Sequence, residues 1–316
     1  MQLTGNTRAF IEAEQYSSFI LTNLHDGLMP ETFYRNVSDF GSGETLNIKT
    51  IGSATIQEVE EDTAITYNPI DTGNVTLSIT DYVGDAWYVT DVLRQDGTQV
   101  ERLMAERAAE ATRAIQENFE TRFFSVCNSS QTNANAMLVN GFAHRVSSTV
   151  ATSGSENTLD LGDLVKLKVA FDKANVPYSG RVAALDPVCA GTLDNKTTVT
   201  HDVTPFGEKV LMNGFDRDHS FLMDLFGWNI ITSNRLEKGD FSDGTTAVTG
   251  AVANVFMSVL DDNTKPIMAA WRQMPSVEGE RNKDRARDEF VTRARWGIGA
   301  QRLDTLAIYI TSATKL

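Results

Sequence analysis

Arg281, Lys283, Arg285, Arg287, Arg293, Arg295 and Arg302 stand out as the one basic run in this 316-residue chain. A run of this kind can grip phosphates or receive carboxylates from another polypeptide. Glu280, Asp284, Asp288 and Glu289 interleave with it, and no aromatic ladder does. Nucleic-acid grooves favour unmixed positive charge or stacking platforms. Ion pairing within or between subunits is therefore the expected chemistry, and arginine's planar fork suits it.

Other constellations that could do chemistry are thin. The histidines are His25, His144, His201 and His219, and none forms the i, i+4 pair of a zinc helix. Asp216-Arg217-Asp218-His219 is the densest polar cluster, but no second histidine or cysteine lies near it. It reads as a solvated turn. Cys127 and Cys189 are the only cysteines, too few for a disulfide framework or a thiolate metal cage. They read as two buried thiols. The chain has no GxSxG nucleophile elbow and no Walker glycine-lysine loop. Gly41-Ser42-Gly43 reads as a bend before a strand. The expectation is no catalytic residue, no metal site and no cofactor.

The composition, 41% hydrophobic and 22% charged, is that of a folded globular protein. The net charge of −14 is lopsided: residues 1–120 hold 20 acidic and 7 basic side chains, residues 121–316 hold 22 and 21. An acidic chain is a poor seeker of nucleic acid. No apolar run reaches the roughly 18 residues of a membrane span, and the first residues lack the apolar core of a signal peptide. No membrane and a cytoplasmic origin are expected.

The elements that must position these groups follow from periodicity. Residues 7–27 read as an amphipathic helix and the stretch to Gly43 as an arm. Val75, Leu77 and Ile79 alternate with Thr76, Ser78 and Thr80, and Leu46 and Ile48 begin a similar pattern. Residues 45–95 therefore read as a long β-hairpin region, with Asn68-Pro69 and Gly73-Asn74 as turns. It could hardly bury a core alone. Thr98-Gln99-Val100-Glu101 fits a capping box. Val100, Met104, Ala108, Ala111, Ile115, Phe119 and Phe123 follow at helical steps, so a spine helix is expected over 98–126. After a polar loop with a strand at 138–146, an α/β lobe begins. It has helices at 161–174 and from Pro187, and strands at 181–185, 226–232 and 255–260. A strand pair around Trp296 and 306–310 closes the chain.

That order of elements resembles the Hong Kong 97-type capsid fold of tailed-phage major coat proteins. Three stretches carry the likeness. "LVKLKVAFDKANVPYSGRVAALDP" (Leu164–Pro187) is similar to the family's helix, V-P-x-x-G-R turn and strand ending in D-P. "GWNIITSNRL" (Gly227–Leu236) is similar to its glycine, strand and S-N turn. "FVTRARWGIGAQRLDTLAIYITS" (Phe290–Ser312) is similar to its final strands.

The resemblance implies an α+β fold: an N-terminal arm (1–44), an extended β-hairpin loop (45–96), a peripheral domain with the spine helix (97–155 and 276–316) and an α/β axial domain (156–275). It implies copies of the chain as partners, in hexamers and pentamers of an icosahedral shell around double-stranded DNA. Portal and scaffolding proteins, and a decoration protein, are further partners of such shells. A cellular nanocompartment of the same fold is the alternative, and a soluble enzyme with an α/β lobe is a third. Some relatives crosslink a lysine of the extended loop to a neighbour's asparagine. Here the hairpin has only Lys49, close to its base, so a non-covalent shell is expected. Glu58, Glu60, Glu61, Asp62 and Asp71 of the hairpin are then expected to meet Arg281, Arg285, Arg287, Arg293 and Arg295 of an adjacent subunit.

Overall fold

The computed structural model describes residues 29–37, 43–52, 54, 56–59, 61–62, 64–65, 67–97, 100–131, 138–148, 157–199 and 227–315. The helix expected over 7–27, Glu60, Thr98 of the capping box and the cluster at 216–219 lie outside the described residues.

The first strands are β1 (Arg35–Asn36), β2 (Thr45–Ile51), β3 (Thr72–Ser78) and β4 (Asp81–Thr90). β2 and β3 form an antiparallel hairpin with Leu46 opposite Leu77 and Ile48 opposite Val75. This register keeps the apolar positions on one face. Gly73 and Asn74, expected as a turn, instead lie within β3, opposite Thr50 and Lys49. The glycine serves a close approach: a Cβ there would overlap the Thr50 hydroxyl.

A short helix, α1 (Asp91–Asp96), follows, its Leu93 N–H donating to the Thr90 hydroxyl at 3.4 Å. The spine helix α2 (Val100–Ser130) has 31 residues, about 46 Å at 1.5 Å each. Its second half buries Ala111, Ile115, Phe119, Phe123, Phe124 and Cys127, whereas Val100 is the only buried residue of its first eleven. The helix runs a turn past the expected end because buried Arg145 satisfies its last carbonyls. Arg145 Nη1 donates to Asn128 O at 3.3 Å and to Gln131 O at 2.7 Å.

The strand expected at 138–146 is broken. Asn140 (φ 50°) and Gly141 (φ 83°) turn the chain between β5 (Leu138–Val139) and β6 (Phe142–Ala143), and β7 (Arg145–Ser147) joins a different sheet. Then come α3 (Leu161–Lys173), β8 (Arg181–Leu185), α4 (Pro187–Val199), β9 (Asn229–Thr232), β10 (Lys238–Ser242) and β11 (Ala247–Ser258). The chain closes with β12 (Ile267–Asn282), β13 (Arg287–Ala300) and β14 (Leu306–Ser312). β9 is shorter and β11 longer than expected. β10 and β12 were not anticipated.

Two main sheets result. The outer one has the order β1-β12-β13-β4; the inner one runs β7-β14-β11-β8-β9, with β10 also on β11. The inner sheet is covered on one face by Leu164, Leu167 and Phe171 of α3 and Cys189 and Leu193 of α4. On its other face lie Phe123, Phe124 and Cys127 of α2. The same helix reaches the outer sheet, where Phe119 lies 4.6 Å from Trp271 and 5.7 Å from Trp296. One rod thus fixes both sheets. The expected boundary at 275/276 falls inside β12. β14, expected with the spine helix, lies between β7 and β11 in the sheet that contains β8 and β9. Cys127 and Cys189 are buried, and burial pushes the Cys127 thiol well above its usual range.

Candidate functional site

The stretches that carry the resemblance are structural latches. Arg181, 2% exposed, turns back over the Val176-Pro177 bend. Its Nη2 donates to Asp172 Oδ1 at 2.7 Å and to Val176 O at 2.6 Å, and its Nε to Pro177 O at 3.0 Å. Its guanidinium also stacks 4.5 Å from the Tyr178 ring. Gly180, at φ 74°, lets the bend approach Leu260. The S-N turn ties the inner sheet to the spine: the Ser233 hydroxyl donates to Glu120 at 3.2 Å, and Arg235 pairs with Glu117 at 2.8 Å. Glu120 is 3% exposed, so removing its partners would strand a buried carboxylate. The i, i+3 spacing of Glu117 and Glu120 was the available signal.

The hairpin projects from this body. Its base is seated on the outer sheet, where Leu77 joins Met268 and Ala270 in a small core with Val37, Leu46, Ile48 and Val75 around it. Gly297 and Gly299 make room: a Cβ at either would press on Ser78 or on Leu77. Beyond the base nothing among the described residues covers the chain. Ile51, Ile56, Val59, Ile65, Tyr67 and Ile70 are all more than half exposed, Ile56 and Tyr67 over 90%. Glu58, Glu61, Asp62 and Asp71 are exposed among them. Six large apolar side chains held in water on one projection mark a surface meant for burial.

The arginine run, Arg302 apart, occupies the β12–β13 hairpin and divides into parts that sequence alone could not separate. Arg281 is committed within the chain: it clasps Asp91 at 2.6 and 2.7 Å and Asp288 at 3.1 Å. This clasp holds the Asp91 carboxyl below the usual carboxylate range. Arg94 reinforces it on Asp288 at 2.8 Å. Arg285 sits exposed on the turn, beside Ala286 at φ 48°. Arg287 pairs with Glu289 at 2.7 Å and lies 4.3 Å from the Tyr88 ring. Arg293 pairs with Glu278 at 3.2 Å and bonds Tyr82. Arg295 is half-buried, opposite Tyr82 in the register. Among the described residues no ion pair joins the hairpin acids to this run. Sequence reasoning passed over Tyr82 and Tyr88; their alternation in "DYVGDAWYVT" was the signal.

Among the described residues no group of three or more His, Cys, Asp and Glu side chains could hold a metal ion. No described helix is long and apolar enough to cross a membrane.

Comparisons with known proteins agree with this architecture. The capsid of the cyanophage P-SCSP1u superposes with a TM-score of 0.68 at 17% identity, covering 96% of this chain and 93% of that one. The mature capsid of bacteriophage PhiM1 gives 0.68 at 12% identity, covering 97% and 93%. The capsid of Ralstonia phage GP4 gives 0.65 at 11% identity, covering 97% and 96%. They show the fold, the α+β capsid fold that the Hong Kong 97-type resemblance implied. No curated protein sequence matches the chain. The family model described as phage capsid protein matches residues 73–311, and on that span the chain belongs to the phage capsid protein family and is a capsid shell protein.

Proposed function

We propose that the chain builds an icosahedral phage head from hexamers and pentamers, with its β2–β3 hairpin buried on an adjacent subunit. The carrying observation is the exposed apolar set from Ile51 to Ile70. Burying a large aliphatic side chain contributes about 1.5–3 kcal/mol, whereas an exposed ion pair contributes about 0–1 kcal/mol. Apolar burial therefore supplies the affinity. The acids Glu58, Glu60, Glu61, Asp62 and Asp71, facing Arg285, Arg287, Arg293 and Arg295 of the neighbour, set register and partner choice.

In this reading residues 1–44 are an arm and 45–96 the reaching loop, the spine helix with the outer sheet forms the peripheral domain, and the inner sheet with α3 and α4, β14 included, forms the axial domain. The shell holds without covalent crosslinks, encloses double-stranded DNA without reading its sequence, and works with portal, scaffolding and decoration proteins. It assembles in the host cytoplasm, and its acidity keeps the wall from adhering to DNA. Electron microscopy of the purified, overexpressed chain, alone and with its scaffolding partner, tests this. Closed shells are expected. A compact monomer at high concentration, its hairpin folded back on its own body, overturns the reading.

A further inference from the structure

We infer that a cavity enclosed by the stretch before β1, the spine helix and the outer sheet is a binding site for an alkylammonium group. The cavity belongs to the single subunit, whatever that subunit goes on to build.

Its volume is about 200 Å³. Three segments wall it: the stretch from Met29 to Tyr34, one turn of α2 from Gln116 to Glu120, and β12 from Trp271 to Pro275. Much of the lining is aromatic. Phe119 lies 5.4 Å from Tyr34 and 4.6 Å from Trp271, at interplanar angles of 65° and 32°. Rings inclined in this way make the walls of a box, not a stack. The Trp271 indole N–H donates to the Tyr34 hydroxyl, which fixes two of the three rings. Met29 and Met274 add polarisable sulfur.

β12 is deformed where it forms this wall. Its register against β13 slips between Trp271 and Gln273 and again between Gln273 and Ser276. Pro275, which has no N–H for the ladder, accounts for the second slip. The first contains no proline. Bulges re-aim side chains and are over-represented beside active sites.

Charge selects the occupant. Glu31 and Glu120 line the cavity, and no lysine, arginine or histidine does. Glu120 is already answered: Arg235 lies 3.5 Å away, and the Ser233 hydroxyl and the Met29 N–H donate to it at 3.2 and 3.3 Å. Glu31 is exposed, and among the described residues no ion pair reaches it. An anion is repelled by such a lining, and a neutral apolar group leaves Glu31 unanswered. An ammonium on a short alkyl chain meets every feature. Its carbons lie against the methionines, its charge is attracted by the aromatic rings, and its N–H groups donate to the Glu31 carboxylate. One occupant then touches three segments, and Glu120 carries the link on to Ser233 of the inner sheet. Occupancy stabilises the folded chain by mass action.

A titration of the purified full-length chain tests the site. Tryptophan fluorescence is followed as n-butylammonium is added at constant ionic strength, and in parallel with n-butanol, which has the same shape without the charge. Butylammonium should give a saturable change with a dissociation constant on the order of 1 mM, as suits so small a ligand. The change should vanish in Trp271→Phe, which identifies the reporter. Glu31→Gln should raise the constant about threefold to fivefold, the worth of one exposed ion pair, and Glu31→Lys should remove saturation. Residue 31 is exposed, so neither variant threatens the fold. No saturable change in the parent chain, a change retained in Trp271→Phe, equal binding of butanol, or an unaltered constant in Glu31→Gln overturns the site. Competition then identifies the source of the ammonium. Stronger displacement of butylammonium by acetyl-lysine methylamide assigns it to a lysine of a partner polypeptide, and stronger displacement by putrescine assigns it to a free amine. Displacement by neither overturns the site.

Discussion

Gly297 lies so close beneath Ser78 that a Cβ at residue 297 would overlap the Ser78 carbonyl oxygen and come within 2.9 Å of Ile79 Cα. The base of the projecting hairpin is set by this missing side chain. Gly297→Ala should cost about 1–3 kcal/mol through overpacking, read by urea unfolding of the unassembled subunit. Gly297→Val should lift β3 and stop shell formation. Normal particles from the valine variant would show that the seat of the hairpin base does not govern assembly.

Arg181 holds the bend between α3 and β8. Arg181→Met keeps the volume but leaves the Val176 and Pro177 carbonyls without their donor. A loss of about 2–3 kcal/mol is expected, measured as a lower denaturant midpoint at unchanged slope. No change in midpoint would mean that the bend holds itself.

The exposed loop should behave oppositely. Ile56→Ser, Tyr67→Ser and Ile70→Ser change side chains that touch little in the lone subunit, so each should shift its stability by less than about 0.5 kcal/mol. Together they should abolish assembly. The combination separates folding from association. Destabilised monomers with normal shells would contradict the assignment.

His144 is fully buried and lies parallel to Phe171 at 5.7 Å. Burial pulls its pKa down, opposed by the hydrogen bond to the Phe142 carbonyl and by Asp304. The folded state thus binds its proton less readily than the unfolded chain, where histidine titrates near about 6.5. Stability is full above that pH and falls as the pH drops towards the lowered folded value. His144→Phe should flatten the fall in unfolding free energy as the pH drops below about 6.5. An unchanged slope would assign the acid sensitivity elsewhere.

Much of the fold was legible because local signals agreed with it. The spine helix, the helix from Leu161 and the strand at Arg181–Leu185 have strong periodicity and clear stops. β12 was missed because its outer half, Gln273 to Asn282, reads as polar loop; its partner β13, not its own propensity, makes it a strand. The hairpin was found, but Gly73-Asn74 misled, since a glycine in a strand can mark close backbone approach as well as a turn. The arginine run was legible as a cluster and not as a surface. Only the register reveals that Arg287 and Arg293 face one way and Arg281 the other. Glu120 and Arg235 are 115 residues apart in the chain, and no local pattern joins them.

Both cysteines lie deep in the subunit, Cys127 beneath the spine helix and Cys189 beneath α4, each at most 1% exposed. Thiol reagents therefore meet no native target on the folded particle. A cysteine introduced on an outward position would be its sole handle, so dyes or peptides could be displayed at one defined site per subunit, and the cage loaded or tagged without first stripping the natural sulfur.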